Sequence, residues 1–133
     1  MATLVDASVL LDVIHEDPGW QEASEAALQT AINRGEVYLN SMVIAEIAPS
    51  FESFADLALR LPPELYRREP IPEEAAFLAG RVHAEYRRRG GRRVRTLPDF
   101  FIGAHCALRG FDLLTRDPRR IRRYFPTVTI IQP

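Results

Sequence analysis

Short apolar runs alternate along this chain with longer stretches in which apolar side chains recur at helical spacing. The runs that predict β-strands lie at residues 3–5, 37–39, 65–69, 112–115 and 128–131. The stretches that predict helices lie at residues 8–15, 20–33, 41–48, 51–61, 72–89 and 101–108. Strands that alternate with helices are typical of a mostly parallel sheet covered on both faces. We therefore predict an α/β fold with three layers, α/β/α, and a mostly parallel central sheet of four to five strands.

Length and composition predict one ordinary globular domain over residues 1–133. The hydrophobic fraction of 47% and the charged fraction of 26% are those of a water-soluble protein. No apolar run approaches the roughly 18 residues of a membrane span, and the N-terminus lacks the pattern of a signal peptide. Cys106 is the single cysteine, so no internal disulfide can form. We expect a cytoplasmic protein that does not enter a membrane.

The net charge of −1 hides a strong asymmetry along the chain. Residues 1–80 carry four arginines against fourteen acids, whereas residues 81–123 carry thirteen arginines against four acids. The chain has no lysine, so every basic side chain is a guanidinium. Arginine binds phosphate through two parallel hydrogen bonds, which makes the basic half compatible with nucleic acid. A solvated helix face would have the same composition, and the sequence leaves both interpretations open.

Four acidic residues fall where a predicted strand ends or a predicted helix begins. They are Asp6, Glu46, Asp99 and Asp117. The carboxyl ends of strands meet at one edge of an open α/β sheet, where ligands bind. Four carboxylates in one crevice repel each other unless a cation lies between them, and Mg²⁺ or Mn²⁺ prefers oxygen ligands. The pattern predicts a metal site suited to phosphodiester hydrolysis.

Each of these acids also has an ordinary structural interpretation. Asp6 and Asp99 could cap the helices that follow them, Asp117 could be a turn residue, and Glu46 could be a charge on an exposed helix face. All four interpretations would have to hold together, which makes the joint metal site the better hypothesis. Asp12, six residues after Asp6, is interpreted as a surface or capping charge.

Other classes of site find less support in the residues. The histidines show no metal-ligand spacing, and His105 and Cys106 are expected to be buried core residues in an apolar helix. The chain has no glycine-rich phosphate loop of a nucleotide-binding enzyme. A phosphoacceptor receiver domain also has acids at strand ends, but it uses a lysine that this chain lacks.

Five segments, in their order along the chain, carry a resemblance to a known family. They are LVDASVLLD at 4–12, IAE at 44–46, LPDFFIGA at 97–104, LLTRDPRR at 113–120 and YFP at 124–126. This series resembles the PIN-domain ribonucleases, and in particular the VapC toxins of bacterial toxin–antitoxin pairs. The resemblance covers nearly the whole chain and implies a PIN-like arrangement of the three layers.

The resemblance also implies a function, a cofactor and partners. The expected activity is that of a metal-dependent endoribonuclease, the toxin of a type II system, acting on structured RNA such as transfer or ribosomal RNA. It implies a homodimer and a cognate antitoxin that blocks the site. The implied catalytic acids are Asp6, Glu46, Asp99 and Asp117, of which Asp6, Asp99 and Asp117 would bind Mg²⁺ or Mn²⁺, with Ser8 and Thr115 in support.

Four arginines are candidates for contact with the RNA backbone. Arg116 is nearest to the last acidic motif, and Arg92, Arg93 and Arg95 follow the Gly-Gly pair at 90–91. Contacts to phosphate would set the position of the RNA rather than read its sequence. The alternative function is a catalytically idle RNA-binding or regulatory module on the same fold, which would bind RNA without metal-dependent cleavage.

Overall fold

The described strands form one sheet in which every neighbouring pair is parallel. The structure, a computed structural model, describes residues 1–91 and 97–133. The strands are β1 (Thr3–Val5), β2 (Val37–Asn40), β3 (Tyr66–Glu69), β4 (Asp112–Leu114) and β5 (Ile130–Ile131). Their order across the sheet is β3-β2-β1-β4-β5. The central strand is therefore β1, in which Leu4 is in register with Tyr38 on one side and Leu113 on the other.

Seven α-helices connect or follow these strands in the described ranges. They are α1 (Ala7–Ile14), α2 (Gln21–Arg34), α3 (Ser41–Ile47), α4 (Phe54–Arg60), α5 (Glu73–Arg88), α6 (Leu97–Arg109) and α7 (Arg119–Tyr124). A 3₁₀ turn, Ala48–Ser50, lies between α3 and α4. No helix within these ranges has both the length and the apolar character needed to cross a lipid bilayer.

Helices cover both faces of the sheet, as the burial of its central strand demonstrates. Successive residues of a strand point to opposite faces. Thr3, Leu4 and Val5 each have 0% of their surface exposed, so neither face of β1 meets solvent. The predicted three-layer α/β/α fold with a parallel sheet is confirmed.

Local signals explain where several helices begin and end. The side chain of Asn40 accepts a hydrogen bond from the backbone N–H of Val43 and caps α3, as predicted. Ser53 caps α4 in the same way by accepting from the N–H of Asp56. Gly90 follows α5 with a φ of +88°, a conformation that costs glycine little.

Three elements differ from the sequence-based prediction. Helix α7 was not predicted, because its sequence Arg-Arg-Ile-Arg-Arg-Tyr offers only Ile121 as a buried residue and shows no periodicity. Strand β5 is two residues long instead of four. The helix predicted at 51–61 begins only at Phe54, because Pro49 and the 3₁₀ turn take up the preceding residues.

The helix expected to be buried all round, α6, is buried mainly along its middle. His105 and Cys106 are 0% and 1% exposed, which confirms the expectation of a core histidine and a core thiol. Leu97 and Leu108, near the two ends, remain 38% and 43% exposed. The predicted cap of this helix begins at Thr96, which lies outside the described residues.

Candidate active site

The candidate site lies at the carboxyl ends of β1 and β4, where the order of the strands reverses. From β1 the chain proceeds outward through β2 to β3, and β4 and β5 lie on the opposite side. Such a switch point leaves a crevice between the loops that follow the two central strands. Asp6 follows β1, and its backbone N–H donates to the carbonyl oxygen of Leu114 at the end of β4. Residues 115–117 are thereby placed beside Asp6.

Two hydroxyl groups orient the carboxylate of Asp6. Ser8 Oγ and Thr115 Oγ1 each donate a hydrogen bond of 2.8 Å to Asp6 Oδ2. Thr115 is 1% exposed, so its hydroxyl has little access to competing water. Both hydrogen bonds go to the same carboxylate oxygen of Asp6, and its second oxygen, Oδ1, takes part in neither of them.

The same hydroxyls also fix the loop that carries Asp117. Ser8 Oγ accepts from the backbone N–H of Arg116 at 3.2 Å, and Thr115 Oγ1 accepts from the N–H of Asp117 at 3.1 Å. Ser8 and Thr115 thus connect the loop after β1 with the loop after β4. The two supporting residues predicted from the sequence lie against Asp6, and each accepts a backbone hydrogen bond from the loop that carries Asp117, Ser8 from Arg116 and Thr115 from Asp117.

Asp99 lies in the first turn of α6 and is influenced by two other acids of the site. Burial is the main cause that raises its pKa, and the negative charges of Asp6 and Asp117 add to the rise. Arg120 opposes it, since its guanidinium donates a hydrogen bond of 2.8 Å to Asp99 Oδ2. The pKa of Asp99 is raised overall, so burial and the repulsion by Asp6 and Asp117 outweigh the ion pair with Arg120.

Glu46, on α3, has the larger shift. Partial burial of its carboxyl group, followed by the charges of Asp6 and Asp99, raises the pKa of Glu46 to about 7. Glu46 as a whole residue is nevertheless exposed, and solvent weakens the effect of burial and of the neighbouring charges on its pKa. Glu46, Asp6, Asp99 and Asp117 therefore form one electrostatically coupled set, hereafter the acidic site.

The chemistry of the acidic site fits a hard divalent cation. Carboxylate oxygens are its preferred ligands, and a cation would relieve the repulsion that adds to burial in raising the pKa values of Glu46 and Asp99. In the described ranges, no three Asp, Glu, His or Cys side chains lie close enough to hold one ion as they stand. The carboxylate of Asp99 is instead paired with the guanidinium of Arg120.

Arg116, a predicted RNA contact, makes two contacts within the protein. Its Nε lies 3.3 Å from Asp12 Oδ2, and its guanidinium carbon lies 4.8 Å from the centre of the Trp20 ring. Asp12 also accepts a hydrogen bond of 2.7 Å from Ser24 Oγ. The interpretation of Asp12 as a surface or capping charge was wrong, because its side chain is only 3% exposed and joins α1, α2 and the loop after β4.

The other three arginines predicted to contact RNA, Arg92, Arg93 and Arg95, lie outside the described residues. Sequence reasoning missed a different basic residue, Arg120, which contacts Asp99 directly. The sequence does place Arg120 only three residues after Asp117. This spacing points to a contact with the acidic site only if α7 is recognised as a helix that begins beside that site.

A second polar network supports the two helices that carry Glu46 and Asp99. Asn40 Oδ1 accepts from Val43, so its amide nitrogen is the donor toward His105 Nδ1 at 3.1 Å. His105 Nε2 then carries the hydrogen and donates to Glu69 Oε2 at 2.6 Å. The pKa of Glu69 is lowered, first by its hydrogen bond from Arg109 and also by His105. This network ties the start of α3 to α6 and to the edge strand β3.

A family model places the chain among known proteins. The PIN domain model matches residues 3–125. No curated protein sequence is significantly similar to the chain.

Solved structures resemble the chain in fold along its whole length. A chain in the structure of VapBC2 from Rickettsia felis, bound to a DNA fragment from their promoter, is 15% identical, with a TM-score of 0.75 and coverage of 100% of this chain and 99% of that chain. A chain of VapBC-1 from nontypeable Haemophilus influenzae is 12% identical, with a TM-score of 0.71 and coverage of 99% and 98%. A chain of DNA-bound VapBC from Salmonella typhimurium is 20% identical, with a TM-score of 0.67 and the same coverage. The family model and the parallel sheet of β1–β5 agree, and the chain belongs to the PIN domain family.

Proposed function

We propose that this PIN domain is a Mg²⁺- or Mn²⁺-dependent endoribonuclease and the toxin of a type II toxin–antitoxin pair. Its substrate would be structured RNA such as transfer or ribosomal RNA. The observation that carries the proposal is the electrostatic coupling of four carboxylates, from four separate segments, at the switch point of a parallel sheet. Such coupling without a cation is unfavourable for folding, so it favours a role in binding one.

In this proposal the acids have distinct roles. Asp6, Asp99 and Asp117 would hold the metal ion directly or through water, and Glu46 would complete the site or orient the attacking water. A bound divalent ion would lower the pKa of a water molecule and neutralise the charge that develops on the phosphate. Ser8 and Thr115 would keep Asp6 in one orientation, because both hydroxyls donate to its Oδ2.

Arg120 would contribute positive charge at the edge of the acidic site. Its ion pair with Asp99 would have to loosen when a cation approaches that carboxylate. The freed guanidinium would then be available to a phosphate group, to which it can donate two hydrogen bonds. Arg116 remains a proposed RNA contact, although its contacts with Asp12 and Trp20 limit its reach.

The ion pair between Arg120 and Asp99 favours one rival function, a catalytically idle RNA-binding domain. In such a domain the arginine would neutralise the carboxylate permanently, and no metal ion would be needed. Metal-dependent cleavage separates the two functions. Purified protein, incubated with total transfer RNA and Mn²⁺, should cut it, and a chelator should stop the reaction. Uncut RNA that still binds would support the rival.

Two variants make this experiment specific for the acidic site. Asp117→Asn should lose cleavage while the protein stays folded, because Asp117 is exposed and its loop is held through its backbone N–H. Asp56→Asn, the same change on α4, should cut RNA normally. Equal rates for the two variants would place the activity elsewhere.

The partners in this proposal are an antitoxin and a second copy of the chain. Phe54 and Leu59 of α4 are 76% and 80% exposed, and we propose that an apolar antitoxin helix covers them. Phe77 of α5 and Leu108 of α6 are 67% and 43% exposed, and we propose that this second face forms the homodimer. The relatives described as VapBC complexes support the presence of an antitoxin.

The two exposed phenylalanines allow a reciprocal test of the partners. Phe54→Glu should escape inhibition by the product of the neighbouring gene while it remains a dimer in light scattering. Phe77→Glu should become monomeric and still be inhibited. A wild-type protein that is monomeric at tens of micromolar, or inhibition that survives Phe54→Glu, would contradict the corresponding assignment.

A further inference from the structure

A cleft next to the acidic site combines arginine and tyrosine side chains from α5 and α7. It has a volume of about 350 Å³ and is lined by Tyr86, Asp117, Arg119, Arg120, Arg123 and Tyr124. We call it the arginine cleft. Asp117 belongs to both the cleft and the acidic site, and Arg120 reaches from the cleft to Asp99. A group in the cleft would therefore lie beside the carboxylates.

Aromatic rings in mutual contact form a floor under the arginines. Phe100, which is 0% exposed, lies 5.4 Å from both Tyr86 and Tyr124, measured between ring centres. The two tyrosine rings are themselves 5.7 Å apart in an edge-to-face arrangement. Gly91 makes room for this arrangement, since a Cβ at that position would lie 2.1 Å from Cε2 of Tyr86. The floor is thus part of the packed core.

Two of the guanidinium groups rest on this floor. Arg120 lies over the ring of Tyr86 and Arg123 over the ring of Tyr124, each with 5.6 Å between the guanidinium carbon and the ring centre. Contact with an aromatic face restricts the rotamers of an arginine before any ligand arrives. Binding an anion then costs less conformational entropy than binding by freely moving side chains.

The charges of the cleft select its ligand. Arg119 and Arg123 are exposed and have no ion pair with the rest of the described chain. The charge of Arg120 is paired with Asp99, and the two remaining guanidinium groups, Arg119 and Arg123, share the cleft with one carboxylate, Asp117, so the cleft favours an anion. Guanidinium groups match the oxygens of a phosphate in geometry and charge.

We infer that the arginine cleft binds a backbone phosphate in a single-stranded segment of the structured RNA, next to the bond that is cut, and thereby positions that bond at the acidic site. This inference rests on the proposed function, because it assigns a place to the substrate strand. It identifies α7 as a substrate-binding element, with Arg119 and Arg123 as the residues that hold the phosphate. Arg120 would join them when it leaves Asp99.

A matched set of arginine variants on one helix tests the inference. Arg119→Gln and Arg123→Gln each remove a charge from the cleft. Arg122→Gln removes the same charge from the same helix, but Arg122 is outside the cleft and donates to Gln132 Oε1 at 3.0 Å. All three residues are exposed, so the variants should fold like the wild type, which melting temperatures will verify.

The readout is binding of a fluorescein-labelled oligouridine of about ten nucleotides, measured by anisotropy in EDTA at several salt concentrations. Each cleft variant should bind several-fold more weakly and reduce the slope of log K against log salt by roughly 0.7. Arg122→Gln should keep the wild-type slope. Equal slopes for all three variants would overturn the inference. It would also be overturned if the cleft variants weakened binding of an acidic decapeptide more than they weakened binding of RNA.

Cleavage by the same proteins, measured with Mn²⁺, separates this inference from the proposed function. If the wild type cuts RNA but the three variants bind alike, the proposed function stands and the cleft is not the phosphate site. If the cleft variants lose binding as expected but the wild type never cuts, the cleft stands and the nuclease function fails. A wild type that does not bind the oligouridine would overturn the inference, and one that also fails to cut transfer RNA with Mn²⁺ would overturn both.

Discussion

The hydroxyl group of Thr115 donates a hydrogen bond of 2.8 Å to the carboxylate of Asp6, although 109 residues separate the two along the chain. The bond connects the ends of β1 and β4, the two strands between which the order of the sheet reverses. Thr115 also accepts from the N–H of Asp117. One buried hydroxyl therefore joins two acids of the acidic site, and its removal should affect stability and activity together.

Thr115→Val should lower the free energy of unfolding by about 1–3 kcal/mol, because it keeps the shape of the side chain and removes both hydrogen bonds. Thr3→Val is the matched control, since Thr3 is equally buried and its hydroxyl has no partner among the described residues. That variant should be as stable as the wild type or more so. Urea denaturation measures both, and equal losses would show that the bonds of Thr115 add nothing.

Arg116 and Asp12 should behave as a coupled structural pair. Arg116→Met leaves the buried carboxylate of Asp12 with Ser24 as its remaining partner, and we expect a loss of about 1–3 kcal/mol. In a double-mutant cycle with Asp12→Asn, the second substitution should cost clearly less than it does alone. Additive losses of stability would show that the two side chains do not interact. Contact with RNA would then be the only role proposed for Arg116.

The pKa of Glu46 predicts how stability depends on pH when no metal is present. Its value of about 7 in the folded protein lies above its ordinary value of 4.5, so the folded state holds this proton more tightly than the unfolded state does. Between about pH 4.5 and 7 this residue therefore makes the protein less stable as the pH rises. Glu46→Gln cannot ionise and should gain stability relative to the wild type over the same range.

The comparison needs urea midpoints in EDTA at pH 5 and pH 8 for both proteins. The gain should be smaller than the full change in pKa implies, because Glu46 is partly exposed and solvent screens its charge. Glu22→Gln, the same substitution at an exposed position of α2, should follow the wild type at both values. If Glu46→Gln also follows the wild type, the coupling of the four acids is weaker than their positions indicate.

A divalent ion should stabilise the folded protein through the acidic site. An ion that binds only the folded state, at about 100 times its dissociation constant, adds about 2.7 kcal/mol. Mn²⁺ or Mg²⁺ should therefore raise the melting temperature of the wild type. The increase should largely disappear in Asp6→Asn and persist in Asp56→Asn. The same increase in both variants would place the bound ion outside the acidic site.

The sequence by itself determined the order of the elements and the architecture of the sheet. Apolar runs such as Thr3–Val5, helix caps such as Asn40 and stops such as Gly90 are local signals, and neighbouring residues suffice to read them. The carboxyl ends of parallel strands share one edge, so the sequence also placed Asp6 and Asp117 at that edge. Helix α7 was not predicted from the sequence, because its six residues include four arginines and show no apolar stripe.

Only the tertiary structure decided which side chains the acids and arginines contact. Asp6 immediately precedes α1 and Asp12 lies within it, yet Asp12 is buried against Ser24 and Arg116, whereas Asp6 faces the crevice. Arg116 turns toward Trp20, and Arg120 turns toward Asp99. The physical reason is that these contacts join segments far apart in the chain. Their partners are set by how the helices pack on the sheet, which no local pattern encodes.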